Sequence, residues 1–249
     1  LTPNPALNRP KLACRIGPVS STLEVATAMK YDFAKIVSDV LPSYFRDLNG
    51  IQSSEANFAS LLYHHLLLAG YLPTQICTEM YTANLVKEGT RPDLVVFDEA
   101  ISGRFNYYKD CDKNQSNTKL KINHLRCVVE IKGGAQQHES GLGKYFEADL
   151  LCDALRSNPE KRSKTQNCAL AIDIEKLGMW SSHFGNDGRD YAFLTIDLKN
   201  PRGFWPSRVR DTFGSYCAKH GVHMIYFAQG EAAFWHYSPK GKSIRVQVK

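Results

Sequence analysis

Two stretches decide how this chain folds: "RPDLVVFDEA", residues 91–100, and "LRCVVEIKGG", residues 125–134. Each holds a short run of Val, Leu and Ile bounded by polar residues, and each reads as a buried strand. The first nevertheless carries Asp93, and the second carries Glu130 and Lys132. Alternation along a strand sends residues i and i+2 to the same face, so Glu130 and Lys132 point the same way. If the first stretch pairs alongside the second, Asp93 reaches the same spot. Carboxylates gathered at a sheet surface repel one another unless positive charge lies between them. Lys132 supplies one such charge.

Outward from these strands the chain alternates helix and strand. A helical pattern runs through Leu23, Ala26, Met29, Phe33, Ile36, Val37 and Val40, stopping near Pro42. A second helix is predicted with Ser54 as N-cap, a stripe of Phe58, Leu61, Leu62, His65, Leu66 and Ala69, and Gly70 at its end. "TQICTEMY", 74–81, reads as a strand before the two motif strands, and "KYFEADLLCDALRS", 144–157, as a helix after them. Further on, "CALAIDI" (168–174) and "YAFLTIDL" (191–198) read as strands and "PSRVRDTFGSYCAKHG" (206–221) as a helix. "VHMIYFA", "AAFWHY" and "IRVQV" close the chain as strands. This alternation implies an α/β fold of three layers, a central mixed β-sheet flanked by helices. Residues 1–249 are expected to form a single domain, with an irregular arm over about 1–20 and a polar insertion at about 99–123.

Composition narrows the function classes. With 43% hydrophobic and 22% charged residues, the chain has the balance of a globular protein with a substantial core. No apolar run reaches the roughly 20 residues of a membrane-spanning helix, and "ASLLYHHLLLAGY" is interrupted by His64 and His65. In a helix these neighbours face different ways, His65 toward the core and His64 toward solvent. The seven cysteines never form a C-x-x-C pair, which argues against zinc or iron–sulfur ligation and for a reduced, cytoplasmic protein. A net charge of +6 favours a polyanionic partner without naming it.

Hard oxygen donors with few protein contacts suit Mg²⁺, with Mn²⁺ as substitute. "PD" at 92–93 and "EIK" at 130–132, each on a predicted strand, follow the order helix, strand, strand, strand, helix, strand. In this the chain resembles the PD-(D/E)xK nuclease superfamily, over about Ser54 to Ile174. The resemblance implies a restriction-endonuclease-like fold and a metal-dependent nuclease hydrolysing phosphodiester bonds. It implies Asp93 as central metal ligand, Glu130 as second ligand, the Ile131 carbonyl completing the site, and Lys132 holding or polarising the attacking water. Glu55 matches the glutamate that family members carry on the helix before the first strand, as a catalytic and metal-site residue. At a helix N-terminus it also serves as a dipole partner, which needs no catalysis. Gln136 or Gln137 matches a polar residue near the site after the motif.

The first functional expectation is a DNA endonuclease of restriction or other defence type, cutting duplex as a homodimer. A repair or recombination nuclease directed to structures or ends, an RNA substrate, and a non-catalytic nucleic-acid-binding module are the alternatives. Lys119, Lys121 and Arg126, from the basic run "KNQSNTKLKINHLR", are expected to contact nucleic acid, with "RSNPEKRSK" and "NPRGFWPSRVR" as further groove candidates. The insertion joins the two motif strands, so it is expected to emerge beside the site. Removing Lys132 is expected to cost cleavage but not folding. The aromatic cluster Phe227, Phe234, Trp235 and Tyr237 has the composition of core strands rather than of a base-stacking platform.

Overall fold

Each strand of the sheet pairs with its neighbour in sequence. The computed structural model describes residues 29–80, 91–98, 124–133, 169–198 and 204–248. Among these, β1 (Ile76–Thr78), β2 (Leu94–Phe97), β3 (Leu125–Gly133), β4 (Asp190–Asp197), β5 (His223–Ala228), β6 (Ala233–Tyr237) and β7 (Ser243–Gln247) form one sheet in that order. The β1–β2 and β2–β3 pairs are antiparallel, β3, β4 and β5 run parallel, and β5–β6 and β6–β7 are antiparallel again. Parallel neighbours need a crossover. The described part of each crossover holds a helix.

Three consecutive segments, Phe33–Lys35, Ile36–Val40 and Leu41–Leu48, run on as one helix, α1, and Glu55–Leu68 forms α2. Ala169–Phe184 forms α3 before β4, and Ser207–Lys219 forms α4 before β5. On one face of the sheet α1 and α2 bury Tyr44, Phe45, Phe58 and Leu62 against Val129, Ile131, Leu194 and Phe227. On the other, α3 and α4 bury Ile174, Trp180 and Phe213 against Val128, Phe193 and Tyr226. Helices on both faces of a mixed sheet make the three-layer α/β arrangement the sequence implies. Cover on both faces also explains why β4 reads as one apolar run, buried from Tyr191 to Asp197.

Local chemistry sets the boundaries of α2. Ser54 Oγ accepts the Asn57 N–H, capping the helix ahead of Glu55. Gly70, at φ +96°, lets the Tyr71 N–H turn back to the Leu66 carbonyl and close the other end.

Two expectations are overturned. The first helix begins at Phe33, with residues 29–32 outside it, and it does not stop at Pro42 but continues to Leu48. Pro42 has no N–H and its ring crowds the carbonyl a turn earlier. The chain widens there into a π-helical stretch, in which the Leu41 N–H reaches back to the Ile36 carbonyl. The second correction is "CALAIDI", which is not a strand: from Ala169 it is the start of α3. Leu170, Ile174 and Leu177 recur at helical spacing, and that period is visible only beyond Ile174. Of the described part of "TQICTEMY", 74–80, only Ile76–Thr78 is strand. The arm at 1–20, the insertion at 99–123 and the helix expected at 144–157 lie outside the described residues.

Candidate active site

Pairing of β2 with β3 builds the site. Leu94 lies opposite Val129, so Asp93, one residue before Leu94, comes level with Glu130, one residue after Val129. The Ile131 N–H donates to Asp93 Oδ2 at 2.6 Å, tying the start of one strand to the other. Along β3, Ile131 is buried on the α1–α2 side, while Glu130 and Lys132 are part-exposed on the face that α3 covers. Gly133 ends the strand with no room for a side chain, since a Cβ there would lie 2.8 Å from both Cβ and the carbonyl oxygen of Ile196.

The Lys132 ammonium is the centre of the arrangement. Its Nζ stands 3.3 Å from Glu55 Oε2, 3.3 Å from Glu130 Oε1 and 3.4 Å from Asp173 Oδ2. Glu55 arrives from the first turn of α2, and its other oxygen accepts the Gly133 N–H at 3.5 Å. Asp173 comes from α3, in the opposite helical layer. Its second oxygen is held by Lys176, one turn along, at 2.8 Å. The structure therefore brings Glu55, Asp93, Glu130, Ile131 and Lys132 together. It adds Asp173, which the sequence reading missed because "CALAIDI" read as a strand. The helical period of Leu170, Ile174 and Leu177 was the signal that could have found it.

The charges do not balance. Among the described residues four buried or part-buried carboxyl groups, with the exposed Glu79 next to Asp93, face two lysines. Burial first, and then the Asp93 carboxylate, push Glu130 up to about 8 against the pull of Lys132. Asp93 is raised by burial, which the Ile131 N–H and Lys132 only partly offset. Glu55 is also raised by burial, with Lys132 opposing. Burial alone would lower Lys132, but the carboxylates of Asp173, Glu130, Glu55 and Asp93 outweigh it and hold the ammonium above the usual lysine range. The surrounding carboxylates thus favour the charged form of Lys132.

Among the described residues no group of three or more His, Cys, Asp or Glu is spaced to hold a metal ion. The ammonium stands where the acids converge. The donor set still fits a hard divalent cation, because Mg²⁺ takes only one or two protein carboxylates and Asp93 and Glu130 form such a pair. An excess of crowded carboxyls, with raised proton affinity, is the chemistry that a dication would relieve.

Arg126 lies at the other end of β3, its guanidinium 2.9 Å from Asp98, which also binds His124 at 2.9 Å. Lys119, Lys121, Gln136 and Gln137 fall outside the described residues. His65 is buried and His64 exposed, as expected. Phe227, Phe234 and Tyr237 are core, and the half-buried Trp235 packs under Arg210 and Arg245. Cys77, Cys127 and Cys217 are buried. No helix among the described residues is long and apolar enough to cross a membrane. In comparisons with protein-family models, with curated proteins and with solved structures, nothing matches the chain.

Proposed function

We propose that this chain is a metal-dependent nuclease that hydrolyses phosphodiester bonds, with double-stranded DNA as its first substrate. The observation that carries the reading is the meeting of Asp93, Glu130 and Lys132 on two paired strands, with Glu55 from the helix before them. Among the described residues the order α2, β1, β2, β3, α3, β4, with β2 running against its neighbours, supports reading the fold as restriction-endonuclease-like.

Asp93 and Glu130 would hold the divalent cation, with Glu55 and the Ile131 carbonyl beside them. When bound, that cation supplies Lewis-acid charge to the scissile phosphate and makes water a better nucleophile. The protein's own groups do the rest. The Ile131 N–H fixes Asp93, and the Glu55 carboxylate fixes Lys132. Lys132 keeps its proton, so it orients water and phosphate oxygen by donating hydrogen bonds. Its charge counts most as negative charge grows on phosphorus.

A second reading is a nucleic-acid-binding module in which Lys132 neutralises the acids without turnover. Its three carboxylate contacts favour it. Incubation with supercoiled plasmid, linear duplex, single strands and RNA, each with Mg²⁺, Mn²⁺ or EDTA, separates the readings. Metal-dependent cleavage with discrete products is expected from duplex DNA. Binding without cleavage of any substrate would leave the module.

A further inference from the structure

Asp173 belongs to none of the motif positions, yet it meets the site at the Lys132 ammonium. It projects from α3, on the helix face shared with the buried Leu170, Ile174 and Leu177, and it is itself buried. Its two oxygens are divided between two cations. Oδ1 takes Lys176 at 2.8 Å and Oδ2 takes Lys132 at 3.4 Å. The Lys176 contact, within one turn of the same helix, fixes the carboxylate's orientation. Asp173 thus has a cation on each oxygen, whereas Glu130 has an ion pair with Lys132 alone and Asp93 is held by the Ile131 N–H.

This division matters when a dication arrives. Lys132 stands 3.3 Å from Glu130, one of the two carboxylates that the nuclease reading gives to the metal. An ammonium and a divalent cation on the same carboxylate repel each other strongly at such distances. The ammonium must give up Glu130 while staying near enough to the reacting phosphate to act on it. Two other carboxylates touch it, and Glu55 is itself drawn toward the metal. Asp173 is the acceptor left over.

We propose that Asp173 is a positioning residue for Lys132, the carboxylate that retains the ammonium when a divalent cation takes over Glu130. The proposal rests on the nuclease reading, and it assigns α3 a part in the site. It makes Asp173 act on cation binding mainly through Lys132, beyond its weaker direct effect on Asp93 and Glu130. Without Asp173 the ammonium stays on Glu130 and competes with the metal.

A double-mutant cycle tests this, with Mn²⁺ affinity read by calorimetry on wild type, Asp173→Asn, Lys132→Met and the double variant. Asp173→Asn is expected to weaken Mn²⁺ binding about tenfold in the wild-type background and less than about twofold in the Lys132→Met background. The same loss in both backgrounds would overturn the proposal, since Asp173 would then act directly on the metal or on the fold. If wild type binds no Mn²⁺ at all, the nuclease reading fails and takes this proposal with it. Should Lys132→Met not fold, the Lys132 Nζ resonance of ¹⁵N-lysine-labelled, Mg²⁺-saturated protein decides, assigned by its loss in Lys132→Arg. A slowly exchanging ammonium signal in wild type that vanishes in Asp173→Asn supports the proposal, and its persistence there overturns it.

Discussion

The Lys132 ammonium touches carboxylates from three separate elements, α2, β3 and α3, so its charge supports the fold as well as any chemistry. Only 13% of the side chain is exposed. Taking it away leaves Glu55, Glu130 and Asp173 crowded with only the Lys176 ammonium on Asp173 to offset them, and removing one partner of a buried pair costs about 3–5 kcal/mol. The expectation that Lys132→Ala would leave folding untouched is therefore revised. In EDTA the variant is expected to melt well below wild type, by several degrees or more. Mn²⁺ should restore part of the difference, because a dication can replace the missing positive charge. Thermal unfolding of both proteins with EDTA and with Mn²⁺ checks this. Equal melting temperatures in EDTA would mean that the acids do not depend on Lys132.

At the scale of elements, the β2–β3 pair has two ends, and they differ in what leaves them. Asp93 and Glu130 lie at one end. The insertion at 99–123, expected beside the site, is instead flanked at the other end, where the Asp98 N–H donates to the His124 carbonyl at 2.8 Å. Glu130 is six residues beyond His124, on the order of 20 Å along an extended strand. The segment 134–168, by contrast, follows Gly133 at the site and rejoins the described chain at Ala169, four residues before Asp173. Neutralising Lys161, Arg162 and Lys164 is accordingly expected to reduce the salt dependence of nucleic-acid binding, by up to about one unit of slope for each phosphate left without its cation. Neutralising Lys119 and Lys121 should change it less. The opposite ranking in a salt titration would return the substrate to the insertion. The same strands mark what was legible in the sequence. Asp93, Glu130 and Lys132 stand on short apolar runs whose period needs no tertiary context, and Ser54 and Gly70 bound α2 by local chemistry. Asp173 was hidden because seven residues around it fit strand and helix alike, and only packing against the sheet decides between them. Pro42 misled because a helix can absorb a proline by widening one turn, which no local pattern announces.

Across the whole molecule, the three layers meet at Lys132, with Glu55 from one helical layer, Glu130 from the sheet and Asp173 from the other. Another buried acid lies on the neighbouring strand. Asp197 at the end of β4 is wholly buried, accepting the Tyr226 O–H at 2.5 Å and the Trp205 N–H at 2.9 Å. Burial pushes its carboxyl up to about 6 from an ordinary 3.8, despite both donors. The folded protein therefore binds this proton more tightly than the unfolded chain does. Asp197 is thus expected to lower stability as pH rises from about 4 through about 6, by up to ~3 kcal/mol. Asp197→Asn carries no such charge, so its stability relative to wild type is expected to rise across the same window and level off above it. Urea unfolding of both proteins from pH 4 to pH 8 measures the difference, and a constant difference would deny Asp197 the role.

The central claim is tested most directly by the rate of plasmid cleavage, measured for wild type and Asp93→Asn purified side by side, in Mg²⁺, Mn²⁺ and EDTA. Asp93→Asn removes one carboxylate charge and keeps an oxygen that can still accept the Ile131 N–H. Wild type is expected to cut in either metal and not in EDTA, and Asp93→Asn to cut at least about a hundredfold more slowly while remaining folded. Wild type that cuts nothing in either metal, or an Asp93→Asn protein that cuts equally well, would contradict it.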